Sequence, residues 1–100
     1  MEMVSLNSLI ESIEPRADDM QLWVPPGLDA SDIFLSGATS DSREINSGNL
    51  FCCIRGDKHD GHDYAQEAVI RGAVALLCEK RVEVPVTQVI VPSVRQVMGY

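Results

Sequence analysis

Two uninterrupted apolar runs constrain the fold of this chain more than any other feature of its sequence. The runs are residues 50–54 and 73–78, and each has the length of a strand that is covered on both faces. Between them, residues 64–71 carry an apolar stripe at helical spacing, and Gly72 supplies a left-handed stop. Strand, helix and strand of these lengths predict two parallel strands joined by a right-handed crossover. Because a parallel sheet needs helices on its faces, we expect a three-layer α/β fold with a mostly parallel or mixed sheet flanked by helices.

The first third of the chain predicts a short helix and a long loop. Apolar side chains at i, i+3, i+4 and i+7 indicate an amphipathic helix over residues 5–13, which Pro15 ends. Residues 14–31 contain three prolines and predict a surface loop. Within this loop we expect Trp23 to be a packing residue rather than a platform for a ligand.

Further strands and helix caps complete the predicted order. Residues 33–39 and 87–91 have the composition of strands. Asp63 is placed to cap the helix between the two apolar runs, and Ser93 is placed to cap a last helix. Seven residues follow Ser93, which make about two helical turns and are fewer than a usual helix contains. We therefore expect this sequence to be the front part of a larger protein.

The length and the charge exclude several classes of protein. One hundred residues suffice for one domain, so we expect a single domain over residues 1–100 and no complete multidomain enzyme. Fifteen acidic and eight basic side chains give a net charge of -7, and most of it lies in an acidic helix-plus-loop arm over residues 1–32. We expect this arm to be a solvated surface. A chain with this charge repels a nucleic-acid backbone, so no nucleic-acid partner is predicted.

The three cysteines are expected to be reduced and the protein to be cytoplasmic. Three thiols cannot all pair internally, and the chain lacks the charged start and apolar core of a signal peptide. Cys52 and Cys53 are adjacent in a predicted strand, so their side chains point to opposite faces and form neither a CxxC redox pair nor a zinc knuckle. No apolar stretch approaches the ~20 residues of a membrane span, so no membrane partner is predicted.

A polar loop over residues 55–62 resembles a nucleotide-binding P-loop only in part. Gly56 and Gly61 have the spacing of the two P-loop glycines. However, His62 and Asp63 replace the Lys and the Ser or Thr that hold the phosphates and the metal ion. The loop therefore does not qualify as a triphosphate site.

The same loop offers a metal site and a simple turn as alternatives. His59 and His62, with the neighbouring carboxylates, match neither a zinc signature nor an EF-hand, so we predict no metal. In the turn, Gly56 and Gly61 take positive φ and Asp60 accepts hydrogen bonds from backbone amides.

Polar residues that follow two of the predicted strands are candidates for ligand contact. In an open α/β sheet, ligands bind beyond the carboxyl ends of the strands. If the strands over residues 33–39 and 50–54 are parallel, the segments after them share that edge of the sheet. Ser42 and the 57–59 loop then converge on one ligand.

These positions lie in a set of short strings that together carry a family resemblance. The strings are Thr39-Ser40-Asp41-Ser42-Arg43, Ser47-Gly48-Asn49-Leu50-Phe51, Asp60-Gly61-His62-Asp63-Tyr64, Arg71-Gly72-Ala73-Val74-Ala75 and Val89-Ile90-Val91-Pro92. In order and spacing they resemble the N-terminal domain of the Mur ligases. The short interval between the last two strands looks most like the MurE type, while the MurF type shares the first three strings.

The resemblance implies a function in the synthesis of peptidoglycan precursors. Such enzymes use ATP and Mg²⁺ to add an amino acid to a UDP-N-acetylmuramoyl peptide, and the MurE type adds the third residue to UDP-N-acetylmuramoyl-L-Ala-D-Glu. Their ATP loop and Mg²⁺ ligands lie in a central domain, and a C-terminal domain receives the amino acid. Neither domain is expected in these 100 residues, so we expect this chain alone to be inactive. The alternatives are a MurF-type domain and a free-standing, non-enzymatic α/β binding module.

The resemblance also implies which residues bind the substrate, because the N-terminal domain of such enzymes holds the UDP end. Ser42 is implied as the strongest contact, and Lys58 or a helix N-terminus can meet the diphosphate. Asp41 and Arg43 either contact the ligand or form a buried ion pair or turn brace. The positions implied for the UDP moiety are Ser42, Ser40, Asp57, Lys58 and His59.

Overall fold

The chain folds around a five-stranded sheet with helices on both faces, in a computed structural model that describes residues 3–13 and 19–98. The strands are β1 (Val4–Ser5), β2 (Gln21–Trp23), β3 (Phe34–Leu35), β4 (Gly37–Thr39), β5 (Asn49–Cys52), β6 (Ala75–Cys78) and β7 (Thr87–Ile90). The helices are α1 (Leu6–Ile13), α2 (Ala65–Arg71) and α3 (Val94–Met98). Short 3-10 turns span Ala30–Asp32, Ser42–Glu44 and Gly61–Tyr64.

The main sheet has the order β2-β7-β6-β5-β4. The pairs β4–β5, β5–β6 and β6–β7 are parallel, whereas β2 runs antiparallel to β7. A separate two-stranded sheet joins β1 to β3 in antiparallel fashion. The sheet is therefore mixed and mostly parallel, and the predicted α/β class is confirmed.

The two apolar runs lie in the middle of the sheet and are buried on both faces, as predicted. Successive side chains of β5 and β6 alternate between two core clusters. Cys52 faces the cluster under α1 and α3, and Cys53 faces the cluster under α2. Phe51 and Leu76 are almost fully buried, and burial of each such side chain contributes about 1.5–3 kcal/mol. These two clusters hold the three layers together.

The predicted arm over residues 1–32 contributes a helix to the core, and the part predicted to be a loop contains a strand. The predicted helix is present as α1, and its buried face is formed by Leu6, Ile10 and Ile13. The predicted loop contains β2, which pairs with the edge of β7. This pairing satisfies backbone groups that an uncovered strand edge would leave unpaired. Trp23 of β2 packs under Arg81, whose guanidinium carbon lies 4.7 Å from the ring centroid. Pro15 lies outside the described residues.

The predicted strand over residues 33–39 divides at Ser36 into β3 and β4. The Ser36 N–H donates to the Gly48 carbonyl over 3.0 Å, and its hydroxyl donates to the Ser47 carbonyl over 2.9 Å. These bonds fix the chain between β3, which pairs with β1, and β4, which pairs with β5. The predicted strand over residues 87–91 is confirmed as β7.

Asp60, and not Asp63, caps the turn that leads into α2. Its Oδ1 accepts the His62 backbone N–H at 3.0 Å and lies 2.6 Å from His62 Nδ1. The cap closes the 3-10 turn Gly61–Tyr64, and Asp63 is an exposed residue inside that turn. The predicted cap at Ser93 is confirmed, because its hydroxyl accepts the Gln96 N–H at 3.3 Å.

The predicted positive φ is found at Gly72 but not at Gly56 or Gly61. Gly72 has a φ of 122° and ends α2, as expected. Gly61 is needed for a different reason, since a Cβ at this position would lie 2.7 Å from the backbone nitrogen of Ile54. The loop after β5 is thus held against the strand by close backbone approach.

The Asp60 cap generates a prediction about stability. The hydrogen bonds from the His62 side chain and backbone hold the pKa of Asp60 below its ordinary value of 3.8. Because the folded state lowers this pKa, the stabilisation is present above that value and is lost as the pH falls through the lowered pKa. We expect Asp60→Ala to cost about 0.5–2 kcal/mol of unfolding free energy at pH 7 and less at about pH 3.

Urea unfolding followed by the fluorescence of Trp23 measures this cost at both pH values. Asp63→Ala is the matched control, since it removes an acid from the same turn without removing the cap, and it should stay within about 0.5 kcal/mol of the parent. An equal cost for the two variants would contradict the assignment of the cap.

Candidate functional site

A pocket of about 570 Å³ lies beyond the carboxyl ends of β4 and β5. These two strands are parallel, so the segments that follow them meet at one edge of the sheet, as the sequence predicts. The 3-10 turn Ser42–Glu44 comes from β4, and the loop after β5 supplies the opposite wall. The pocket is lined by Ser40, Asp41, Ser42, Arg43, Phe51, His59, Tyr64 and Glu67.

Ser42 is the buried polar residue of the pocket wall. Its side chain is held by one bond, in which the hydroxyl donates to Glu67 Oε2 over 2.7 Å. Glu67 lies on α2, and its other carboxylate oxygen is 3.9 Å from Arg71 Nη2, one helical turn away. Ser42 therefore joins the turn after β4 to the helix that follows β5.

Asp41 and Arg43 form a turn brace at the mouth of the pocket. The backbone N–H and Nε of Arg43 donate to Asp41 Oδ1 at 2.9 and 3.0 Å, and Nη2 donates to Oδ2 at 2.9 Å. These bonds hold the pKa of Asp41 below its ordinary value. The bonds from the Arg43 side chain have the larger effect, and the bond from its backbone has the smaller one. The predicted brace is present, but a buried ion pair is not, since the Arg43 side chain is 81% exposed.

His59 and Tyr64 form the aromatic wall of the pocket. The Tyr64 hydroxyl lies 3.2 Å from His59 Nδ1, and the two rings meet edge to face at a centroid distance of 6.2 Å. The His59 carbonyl accepts the Gly56 N–H at 2.8 Å, which closes the loop that carries it. Asp57 and Lys58 are exposed on this loop but do not line the pocket.

His62 is buried and performs a structural task. Its Nε2 accepts the Glu79 backbone N–H at 2.9 Å, so its ring proton resides on Nδ1, which faces Asp60. Both ring nitrogens are therefore occupied in a neutral imidazole. A second, polar cavity of about 310 Å³ lies beside this group and is also lined by Arg55 and Lys80.

The three thiols are unsuited to nucleophilic chemistry. Burial raises the pKa of Cys52 and of Cys78 to about 12, and it also raises the pKa of Cys53. Within residues 3–13 and 19–98, no group of three His, Cys, Asp or Glu side chains is placed to hold a metal ion. The described helices include none long and apolar enough to cross a membrane.

Ser42 and His59, which were named from the sequence, both line this pocket, whereas three other lining residues were not named. Phe51 was assigned to the core, and Tyr64 to the apolar stripe of α2, although Tyr64 is 39% exposed. Glu67 is separated from Ser42 by 25 positions. The one available signal was its helical spacing from Tyr64, which puts both residues on the same side of the turn and helix.

The fold and the pocket define an α/β domain with a ligand-sized cleft at the carboxyl edge of its sheet. The family profile described as "Mur ligase family, catalytic domain" matches residues 35–99, well over half of the chain. The chain belongs to the Mur ligase family.

Curated relatives of two kinds match part of the chain. A UDP-N-acetylmuramoyl-L-alanyl-D-glutamate--2,6-diaminopimelate ligase from Halalkalibacterium halodurans is 52% identical over 59 residues, which are 59% of this chain and 12% of the relative. A UDP-N-acetylmuramoyl-tripeptide--D-alanyl-D-alanine ligase from Escherichia coli is 36% identical over 72 residues, which are 72% of this chain and 16% of the relative. The chain thus spans a small part of these relatives.

A solved structure shows the same fold over nearly the whole chain. The structure of MurF from Acinetobacter baumannii aligns with 99% of this chain and 20% of its own, with a TM-score of 0.78. The sequence identity is 19%, so the likeness concerns the fold alone.

The different environments of the two histidines generate a prediction. We expect His62→Ala to lower the free energy of unfolding by about 2–4 kcal/mol, because it leaves a cavity and removes partners from Asp60 and the Glu79 N–H. His59→Ala, the matched control on the exposed pocket wall, should change it by less than about 0.5 kcal/mol. Urea unfolding followed by Trp23 fluorescence compares them, and a small effect of His62→Ala would contradict the structural role.

Proposed function

We propose that this chain is the UDP-binding domain, over residues 1–100, of an ATP-dependent Mur ligase. The reaction proposed for the intact enzyme is the addition of the third amino acid to UDP-N-acetylmuramoyl-L-Ala-D-Glu during peptidoglycan precursor synthesis. The observation that carries this proposal is the pocket beyond β4 and β5, in which buried Ser42 and the His59 loop converge. Because that substrate is a cytoplasmic nucleotide sugar, the proposed location is the cytoplasm.

The pocket has the chemistry that a nucleotide base requires. Hydroxyls of Ser40 and Ser42 can bond the polar edge of a pyrimidine. Tyr64, which is 39% exposed, supplies aromatic surface beside them, which suits the flat face of a base. A base can therefore be held by its edge and by one face.

The diphosphate needs positive charge, and two residues near the pocket can supply it. Arg43 lines the pocket mouth, although Asp41 already neutralises part of its charge. Lys58 is exposed on the loop that carries His59, and its long side chain is free to reach a phosphate in solution. Asp57, which is also exposed on this loop, is assigned to the same position outside the pocket lining as Lys58. Asp41 is assigned to the brace that positions Arg43.

Catalysis itself is assigned to parts of the intact ligase other than this chain. ATP and Mg²⁺ would bind in a central domain, and the added amino acid would bind in a C-terminal domain. This assignment is supported by the length of the matched relatives, of which the chain spans only 12–16%. The chain alone is proposed to bind the nucleotide end of the substrate and to be inactive.

The MurE type is preferred to the MurF type because of the sequence matches. The diaminopimelate ligase relative is 52% identical, whereas the D-alanyl-D-alanine ligase relative is 36% identical over a somewhat longer segment. The MurF type is the second candidate, and it would use the same nucleotide pocket. UDP binding is common to both candidates, so a test on the pocket examines the shared part of the proposal.

Replacement of Ser42 tests the proposed site. We expect Ser42→Ala to weaken binding of UDP to the chain by about 0.5–1.5 kcal/mol, the net value of one hydrogen bond, or roughly two- to twelvefold in Kd. Isothermal titration calorimetry measures this change. Ser31→Ala, in a turn that does not line the pocket, is the matched control and should bind as the parent does. An unchanged affinity of the Ser42 variant would remove Ser42 from the site.

A further inference from the structure

Glu67 is an acidic residue in a pocket proposed for an anionic ligand, so its presence requires an explanation. We propose that Glu67 is a positioning residue that makes the pocket select uracil over cytosine by fixing the hydroxyl proton of Ser42. This inference rests on the proposed function, since it concerns the base that the same pocket holds. It assigns a role to a residue on α2 that was not among the site residues named from the sequence.

The hydrogen bond between Ser42 and Glu67 has a fixed direction. A serine hydroxyl has one proton to donate and two lone pairs that accept, whereas a carboxylate oxygen only accepts. The Ser42 Oγ lies 2.7 Å from Glu67 Oε2, so the proton of Ser42 is directed to Glu67. The distance is that of a charge-assisted bond. What Ser42 presents to the pocket is therefore an acceptor.

The bond joins two elements of the fold. Ser42 is 7% exposed and begins a 3-10 turn that the Asp41 side chain caps at the Arg43 N–H. Glu67 lies on α2, where its side chain is 47% exposed and its second oxygen is 3.9 Å from Arg71 Nη2. The donor and its acceptor thus come from two separate backbone elements. A ligand would have to break a charge-assisted bond to turn the Ser42 proton toward itself.

Uracil and cytosine differ in the group that would meet Ser42. Uracil has an N–H donor at ring position 3, between two carbonyl acceptors, whereas cytosine has a bare acceptor nitrogen there. An acceptor oxygen on Ser42 pairs with the uracil N–H and opposes the lone pair of cytosine. Sites built to hydrogen-bond one partner reject an analogue that lacks the matching group, because polar groups are then left unpaired.

The charge of Glu67 also sets the orientation of the ligand. A carboxylate repels a diphosphate but tolerates the uncharged base, so the base end belongs next to Glu67. The cationic side chains Arg43 and Lys58 lie at the mouth and on the outer loop, where the diphosphate would be placed. Glu67 costs little in affinity if it meets only the neutral end of the nucleotide.

Competition between bases tests this role separately from folding. UDP and CDP are titrated by calorimetry into the parent chain, Glu67→Gln and Glu67→Ala. The parent should prefer UDP by at least about tenfold, the effect of one mismatched hydrogen bond. In Glu67→Gln, the side-chain amide can donate to the Ser42 oxygen, and the Ser42 hydroxyl proton can then be donated to the ligand. Because Ser42 could then also bond cytosine, the preference for UDP should fall by at least about threefold. Glu67→Ala should lower the preference in the same direction.

Glu44→Gln is the matched control, because it removes the same charge from the turn that carries Ser42 but does not line the pocket. Its preference for UDP should equal that of the parent. If UDP binds and the preference is unchanged in Glu67→Gln and Glu67→Ala, the role of Glu67 is overturned and the proposed function stands. A parent chain that binds neither nucleotide would overturn the proposed function and this inference together.

Discussion

The structure depends on the burial of β5 and β6 on both faces. Parallel strands whose side chains are nearly all apolar are stable only when helices cover each face, so this pair requires α1 and α3 on one side and α2 on the other. The same parallel arrangement brings the carboxyl ends of neighbouring strands to one edge of the sheet. Segments that leave β4 and β5 at that edge line the pocket. The position of the site is thus a consequence of how the core is built.

The buried His62 side chain connects segments at this edge of the sheet. His62 links Asp60, on the loop after β5, to the backbone N–H of Glu79, which follows β6. The Glu79 side chain in turn accepts the N–H of Val94 at the start of α3. Three successive connections are therefore held by partly buried side-chain hydrogen bonds. This scaffold leaves His59, on the same loop, exposed to the pocket, which is the usual division between structural and binding residues in such folds.

Local signals in the sequence were sufficient for the core but not for its edges. The apolar runs, α1, Gly72 and Ser93 each carry their own pattern, and each was predicted correctly. Strand β2 was missed because prolines surround it and its partner β7 is distant in sequence. Asp60 rather than Asp63 is the cap because a 3-10 turn precedes α2, and no periodicity in the sequence reveals that turn. Glu67 was missed because its contact with Ser42 spans 25 positions and exists only after folding.

The pocket beyond β4 and β5 is proposed to hold the uridine diphosphate end of a substrate. A titration of the ¹⁵N-labelled chain with UDP, followed through the amide signals in two-dimensional NMR spectra, tests this directly. We expect the largest shifts at the pocket lining, in Ser40, Ser42, His59, Tyr64 and Glu67. Shifts concentrated instead around the second polar cavity, at Arg55, Glu79 and Lys80, or no shifts at all, would contradict it.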